Sequence, residues 1–439
     1  MVPTARTYGL LLALGAIATL QATLSEAPSR ISAAILTLLV LDGAVLLAMI
    51  WDGWRVRSQR VEVTRSPLQR LSIGRDNPLT LTLKPGPQAA ELRIYDHYPA
   101  EFAGTPMPLV ASVSAGQPTE LTYTVNPKHR GEYAWGDVQV QQRGPLGLAW
   151  SDWKLPLADK VAVYPDLIGL RQLSIRLALQ STGTLRQQRR LGVGTEFAEL
   201  REYDMGDDPR FIDWKATARR SAPLVRVLEP EREQTLIVLL DRGRLMTAQV
   251  RGLSRFDWGL NAALALALAG IQRGDRVGVG VFDRTLHTWL PPKGGQPYLQ
   301  QMIERLTPIQ PVLLESDYLG AVTQVVRQQH RRALVVVLTD VVDQTASAEL
   351  LSALVRLRPR YLPFCVTLRD PEVDRRAQTF QTQVDQAYVR AVALDLLAQR
   401  QAVFTRLQQR GVLVLDAPAN QITDPLVEAY IRIKNRSRL

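Results

Sequence analysis

Two apolar runs near the start of the chain constrain its fold more than anything that follows them. Residues 7–24 (TYGLLLALGAIATLQATL) contain no charge, and residues 31–50 (ISAAILTLLVLDGAVLLAMI) contain one, Asp42. Each run approaches the roughly 20 residues that a helix needs to cross a hydrocarbon layer. A cleaved leader would explain the first run alone, but a strong basic n-region is lacking and a second apolar run follows almost at once. The pattern therefore predicts a two-helix membrane anchor over residues 1–60.

The flanking charges set its orientation. Arg6 precedes the first run, the connection carries only Glu26 and Arg30, and Arg55, Arg57 and Arg60 follow the second. Basic flanks favour the cytoplasmic side, which predicts a two-pass protein of the cytoplasmic (inner) membrane with its soluble body in the cytoplasm. Trp51 and Trp54 fall where the second helix leaves the hydrocarbon, the depth that amphipathic rings prefer. Asp42 lies near mid-membrane, where an ionised carboxylate is costly, so it is neutral, paired, or turned toward another helix.

The formal charge of +11 and pI of about 9.9 raise the question of nucleic acid. The distribution of charge answers it. Basic residues gather after the second run, in the acid-free residues 168–193 (Arg171, Arg176, Arg186, Arg189, Arg190) and in the tail (Arg432, Lys434, Arg436, Arg438). Such clusters beside a membrane attract anionic lipid headgroups. No zinc-finger spacing or RNP-type aromatic motif accompanies them, so membrane lipids, not nucleic acid, are the expected partners of these clusters. The single Cys365 permits no internal disulfide, which fits a reducing compartment.

Residues 61–165 read as short strands (VEVTR, LTLTL, ELRIYDHY, ELTYTV, DVQVQQ, KVAVYP) punctuated by Gly, Pro and Asn, which predicts an antiparallel β-sandwich of immunoglobulin-like type. His97 and His129 lie there without a ligand-spaced His, Cys or carboxylate, and read as surface or packing residues. Residues 166–232 form a basic connector. From residue 233 to 439 the pattern alternates. Continuous apolar strands (TLIVLLD, RALVVVLTD, YLPFCVTL) and DRVGVGVFD are separated by helical stretches such as FDWGLNAALALALAGIQRG, and a long helix over residues 388–410 is followed by GVLVLDA. This alternation predicts a doubly wound α/β domain.

Ligands of open parallel sheets bind beyond the carboxyl ends of the strands, where Asp241 and Asp340 stand. Two such carboxylates either share a hard cation such as Mg²⁺ or each cap the following helix. Here the domain resembles the von Willebrand factor type A fold, whose metal site uses D-x-S-x-S, a distant Thr and a later Asp. The first element reads Asp241-Arg242-Gly243-Arg244-Leu245, so Gly243 and Leu245 replace both serines. Ser316, followed by Ala321-Val322, stands at the Thr position, and Asp340 matches the later Asp. The resemblance thus implies a degenerate Mg²⁺ site of Asp241, Ser316 and Asp340, with Arg242 and Arg244 opposing the cation by repulsion.

A denser motif lies upstream in residues 194–219, GTEFAELREYDMGDDPRFIDWKATAR. It resembles the signature of the family of unknown function called DUF58 at Gly194, Glu196, Phe197, Leu200, Arg201, Tyr203, Gly206, Asp207, Arg210, Asp213, Trp214, Lys215, Ala218 and Arg219. The two apolar runs, Arg130-Gly131 and Pro145-Leu146-Gly147-Leu148 extend the resemblance over the rest of the chain. Physically, carboxylates interleaved with guanidiniums and aromatic rings describe an ion-paired, partly buried joint. The competing reading takes Asp204, Asp207, Asp208 and Asp213 as catalytic acids, but Arg201, Arg210 and Lys215 would hold them ionised and paired. No catalytic residue is assigned.

The segment Pro292-Lys293-Gly294-Gly295 lacks the first glycine and the hydroxyl of a phosphate-binding loop, so no nucleotide hydrolysis is expected. The resemblance implies an energy source in a partner, a MoxR-class AAA+ ATPase, and a transglutaminase-like membrane protein as a further associate. The resulting expectation is a membrane-anchored adaptor, not an enzyme. The alternatives are a lipid-binding structural membrane protein and an uncharacterised enzyme at the cytoplasmic membrane face.

Overall fold

The computed structural model describes residues 1–23, 28–68, 70–191, 196–220, 222–229, 234–342, 347–379 and 383–435. The chain divides into two units, Met1–Val163 and Tyr164–Leu439.

The first unit begins with two helices, Ala5–Thr23 and Pro28–Arg57, that pack against each other. One stretch among the described residues, Ile35–Arg57, is long and apolar enough to cross a membrane, with mean hydropathy 2.0 and 6% of its most apolar window buried. Leu12, Leu20, Leu36, Leu39, Val40 and Leu47 are between 61% and 74% exposed. A core helix hides such side chains, because each buried Leu or Val contributes roughly 1.5–3 kcal/mol. On Asp42 the Oδ1 atom is shielded and accepts no hydrogen bond among the described residues.

The base of this helical pair is tied to the β-region by hydrogen bonds. Asp52 is fully buried, and its carboxylate accepts the N–H groups of Leu146 (2.8 Å), Leu148 (2.8 Å) and Ala149 (3.1 Å). Thr4 donates to the Gly147 carbonyl at 2.7 Å, and Val2–Pro3 adds a short strand beside Ala149–Leu155. The Pro145-Leu146-Gly147-Leu148 turn is thus the socket for the helices. At Gly144 an added Cβ would lie 2.3 Å from the Asp52 carboxylate, so the close approach requires glycine there.

The expected antiparallel strands are present in three sheets. One runs Val2–Pro3, Ala149–Leu155, Val138–Arg143, Ala90–Asp96, Leu109–Val113; another runs Glu62–Arg65, Asn77–Lys84, Thr119–Asn126, Ala103–Gly104. Leu79, Leu81 and Leu83 are buried on one face of their strand while Pro78 and Lys84 are exposed, the two-residue period of a half-buried strand. Asp96 is buried in the core but has three partners there: Arg65 (2.9 Å), the Tyr123 hydroxyl (2.6 Å) and the Trp135 indole N–H (2.8 Å).

In the second unit a six-stranded sheet runs Leu286–Lys293, Arg276–Phe282, Thr235–Asp241, Leu334–Thr339, Leu362–Arg369, Leu413–Pro418. All neighbours are parallel except the edge strand Leu286–Lys293, which is antiparallel. Thr235–Asp241 is buried along its whole length, as expected of a strand covered on both faces. Leu236, Val238 and Leu240 join the core formed with the helix Arg255–Gln272, whereas Ile237 and Leu239 face the core containing Val322, Leu354 and Phe404.

Residues 166–232 are not a free connector. Helix Leu167–Leu191 buries Leu170, Leu173 and Leu177 in the first of these cores, a three-to-four-residue spacing that basic composition had masked. The strands Glu196–Glu202 and Leu224–Glu229 form an antiparallel hairpin of the same unit.

Candidate functional site

The carboxyl ends of the central strands bring together the residues expected there, and the arrangement is closed. Asp241 is 1% exposed. Its Oδ1 accepts Ser316 Oγ (2.5 Å) and the Gly243 N–H (2.7 Å); its Oδ2 accepts Thr339 Oγ1 (2.6 Å) and the Tyr318 hydroxyl (3.0 Å). Burial pushes the Asp241 carboxyl above its usual value, against the pull of these four donors. Tyr318 is raised well above the ordinary tyrosine value by burial and by Asp241.

Asp340 is closed by two guanidiniums. Arg255 meets Oδ2 at 2.7 Å, Arg400 meets Oδ1 at 2.6 Å, and the Val341 N–H also donates to Oδ1 at 2.8 Å. Arg400 reaches on to Asp416 at 2.8 Å, and Asp416 accepts Arg369 at 2.8 Å. Burial opposes the charge on Arg400, but the two carboxylates outweigh it and raise its pKa. Arg242 turns to Asp283 at 2.6 Å, and Arg244 pairs with Glu315 at 2.7 Å.

These residues do not fit Mg²⁺, which needs a near-octahedral set of oxygens at about 2.0–2.1 Å with lone pairs to spare. At Asp241 the ligand-type hydroxyls of Ser316 and Thr339 point their protons at the carboxylate that would hold the ion. A Cβ on Gly243 would lie 2.1 Å from Ser316 Oγ, so a serine has no room at the position the adhesion motif requires. Asp340 is already neutralised from two sides. Among the described residues no group of three His, Cys, Asp or Glu side chains is placed to hold a metal. The implied set Asp241, Ser316 and Asp340 is a hydrogen-bonded core, completed by Tyr318, Thr339, Arg255 and Arg400, which sequence reasoning did not find. Tyr318 and Thr339 lie within two residues of predicted members; for Arg255 and Arg400 no local signal exists.

The signature occupies the hairpin and the segment between its strands. Arg201 pairs with Asp207 at 2.5 Å, and Asp207 also accepts the Asp204 N–H at 2.9 Å. Arg210 binds Asp208 at 2.8 Å. Asp213 accepts the N–H groups of Lys215 (3.1 Å) and Ala216 (3.0 Å) and pairs with Arg226 at 3.0 Å. The Asp204 N–H and Arg201 hold Asp207 below the usual carboxylate range, Arg210 does the same for Asp208, and the Ala216 N–H and Arg226 for Asp213. Three of the four carboxylates proposed as acids are therefore ionised and occupied. Tyr203 donates its N–H to the Pro223 carbonyl, closing the hairpin end, while Gly206 and Arg219 are exposed. Glu196 and Phe197 lie in the first strand; Gly194 lies outside the described residues.

The family match falls on this unit. Residues 199–378 match the model of the family described as Protein of unknown function DUF58. Uncharacterized protein Rv1480 of Mycobacterium tuberculosis is 27% identical over 151 residues, 34% of this chain and 48% of that protein. The chain thus spans about half the length of that relative. Among solved structures, the conserved hypothetical protein BatB from Bacteroides thetaiotaomicron is similar at 17% identity and TM-score 0.32, over 46% of this chain and 100% of its own. An aerotolerance-related membrane protein from Bacteroides fragilis is similar at 16% identity and TM-score 0.30, over 46% and 99%.

Proposed function

We propose that the chain is a membrane-anchored, non-enzymatic adaptor that crosses the cytoplasmic membrane twice and presents its second unit to protein partners in the cytoplasm, a MoxR-class AAA+ ATPase or its client foremost. The observation that carries this reading is the outward-facing apolar surface of the N-terminal helices beside a fully hydrogen-bonded turn at Asp52. Such a surface needs an apolar medium, and the Asp52 socket holds it fixed to the β-region. The strand order, with its antiparallel edge strand, supports a von Willebrand A-like domain as the partner-binding body. A transglutaminase-like membrane protein and anionic lipids are further proposed associates, the lipids meeting the basic flank at Arg55, Arg57 and Arg60.

Two measurements test the reading. Cys365 is fully buried, so cysteines introduced elsewhere report alone. An impermeant maleimide added outside intact cells should label Ser25→Cys and spare Lys128→Cys; the reverse pattern rejects the topology. Affinity purification of the detergent-solubilised chain from its host, with and without nucleotide, should recover a MoxR-class ATPase. A truncation lacking residues 235–439 that captured it equally well would reject the α/β domain as the binding body.

A further inference from the structure

We propose that Trp214, Lys215, Arg219 and Arg220 form the docking surface for a partner protein that offers an apolar pocket rimmed by carboxylates. The inference rests on the adaptor reading and moves the contact within the second unit from the α/β domain to the hairpin segment, because Asp241 and Asp340 at the sheet end are buried and already paired.

Trp214 is 71% exposed. An indole left in water forgoes one of the largest apolar burials a side chain offers, and Trp with Arg dominates the energetic centres of protein interfaces. Lys215, Arg219 and Arg220 are exposed around it in sequence, and no side-chain ion pair or hydrogen bond engages their cationic groups among the described residues. This distinguishes them from Arg201, Arg210 and Arg226, which are each paired with an aspartate.

The backbone that carries these four side chains is held firmly. Asp213 caps the turn through two N–H groups, its own N–H reaches the Leu224 carbonyl at 2.9 Å, and the Leu224 N–H reaches Thr217 Oγ1 at 3.0 Å. Arg219 and Arg220 donate their N–H groups to the carbonyls of Ala216 and Thr217, both at 3.1 Å. A pre-ordered anchor loses little freedom on binding, which is the condition for a strong contact from a small patch.

Charge selects the occupant. From Glu196 to Glu229, the hairpin and the segment between its strands, the sequence carries eight acidic and six basic residues, so the region has no net positive charge. A lipid surface responds to charge averaged over the screening length of about 8 Å and gains little here. A protein can place single carboxylates against Lys215, Arg219 and Arg220 while avoiding the neighbouring acids. An acidic protein surface is therefore favoured over a membrane.

The test replaces Trp214 with the photo-crosslinker p-benzoylphenylalanine in the full-length chain, in membranes of its own host, and sequences the crosslinked peptide. The same crosslinker at Leu313, 77% exposed in the loop that meets Gly243 and Arg244, reports on the end of the sheet. The expected product at 214 is a protein peptide flanked by several carboxylates. Its yield should fall about tenfold or more when Lys215→Glu, Arg219→Glu and Arg220→Glu are combined, with the unfolding midpoint unchanged. Crosslinks to lipid only, to a peptide without carboxylates, to nothing, or at undiminished yield in the triple variant overturn the proposal. Protein captured at 313 but not at 214 removes this surface and leaves the adaptor reading standing, whereas capture at neither removes both.

Discussion

Asp340 and Asp416 at the end of the six-stranded sheet and Asp207, Asp208 and Asp213 of the signature hairpin are all paired with arginine, but at different separations along the chain and at different depths. Arg400 meets Asp340 from 60 residues away, and both side chains are at most 5% exposed. Arg210 meets Asp208 from two residues away, with side chains 87% and 36% exposed. Removing one member of a buried pair strands a charge and costs about 3–5 kcal/mol, while an exposed pair contributes about 0–1 kcal/mol. The first cluster thus stabilises the fold across the sheet. The second shapes one local turn and leaves its neighbours Trp214, Lys215, Arg219 and Arg220 exposed.

The largest expected effect follows from that contrast. Arg400→Ala leaves Asp340 with Arg255 and Asp416 with Arg369 as their remaining arginines, and should destabilise the second unit by up to about 3–5 kcal/mol. Hydrogen exchange of the amides in Leu334–Thr339, measured on the full chain in detergent, should accelerate accordingly. Arg210→Ala, measured in parallel, should leave those amides unchanged. Equal effects from the two substitutions would erase the comparison.

Gly243→Ser comes next. It restores the serine of the adhesion motif but sets a Cβ 2.1 Å from Ser316 Oγ and 2.7 Å from the Leu314 carbonyl. The loop must move, at an expected cost of about 1–3 kcal/mol, read as a lower unfolding midpoint. A variant as stable as the parent would show that the loop has an alternative arrangement with room for the motif.

The hairpin should give a smaller, pH-dependent signal. The Asp204 N–H and Arg201 keep the pKa of Asp207 depressed, so its contribution is present above the unfolded carboxylate value of about 3.9 and is lost as pH falls through the lower native value. Asp207→Asn should cost under about 1 kcal/mol at neutral pH and flatten that acid limb. Amide exchange of Tyr203, whose N–H closes the hairpin end, reports it. An unchanged acid limb would mean that the Arg201 pair does not order the turn.

Legibility in the sequence follows the same division. The apolar runs, the buried strands Thr235–Asp241 and Leu334–Thr339, and the local pairing of the signature are written in neighbouring residues, and were read. The edge strand Leu286–Lys293 was missed because Pro291 and Pro292 argue against a strand, yet an edge position tolerates them. Helix Leu167–Leu191 was read as a connector because its arginines hid the Leu170, Leu173, Leu177 stripe. Asp241 and Asp340 stand at strand ends that their sequence position indicates, but the donors that fill them, Thr339 and Arg400 among them, are brought there only by the folded sheet. A site built from distant residues is visible in one dimension only as its most conspicuous members.

The smallest expected effect is the most discriminating for the sheet end. If Arg255 and Arg400 neutralise Asp340 and four neutral donors saturate Asp241, a divalent ion finds no open carboxylate pair to bind and nothing to stabilise. Titrating Mg²⁺ into EDTA-treated protein should therefore leave the unfolding midpoint and the amide exchange of Leu334–Thr339 unchanged. A ligand that binds only the folded state at 100 times its Kd would add about 2.7 kcal/mol, so a true site would be easily seen. A saturable, Mg²⁺-dependent rise in stability, abolished by Asp241→Asn, would show that the hydroxyls of Ser316 and Thr339 turn their lone pairs outward when the ion arrives. The sheet end would then be a working cation site despite its arginines, and its contrast with the hairpin would be one of occupancy instead of design.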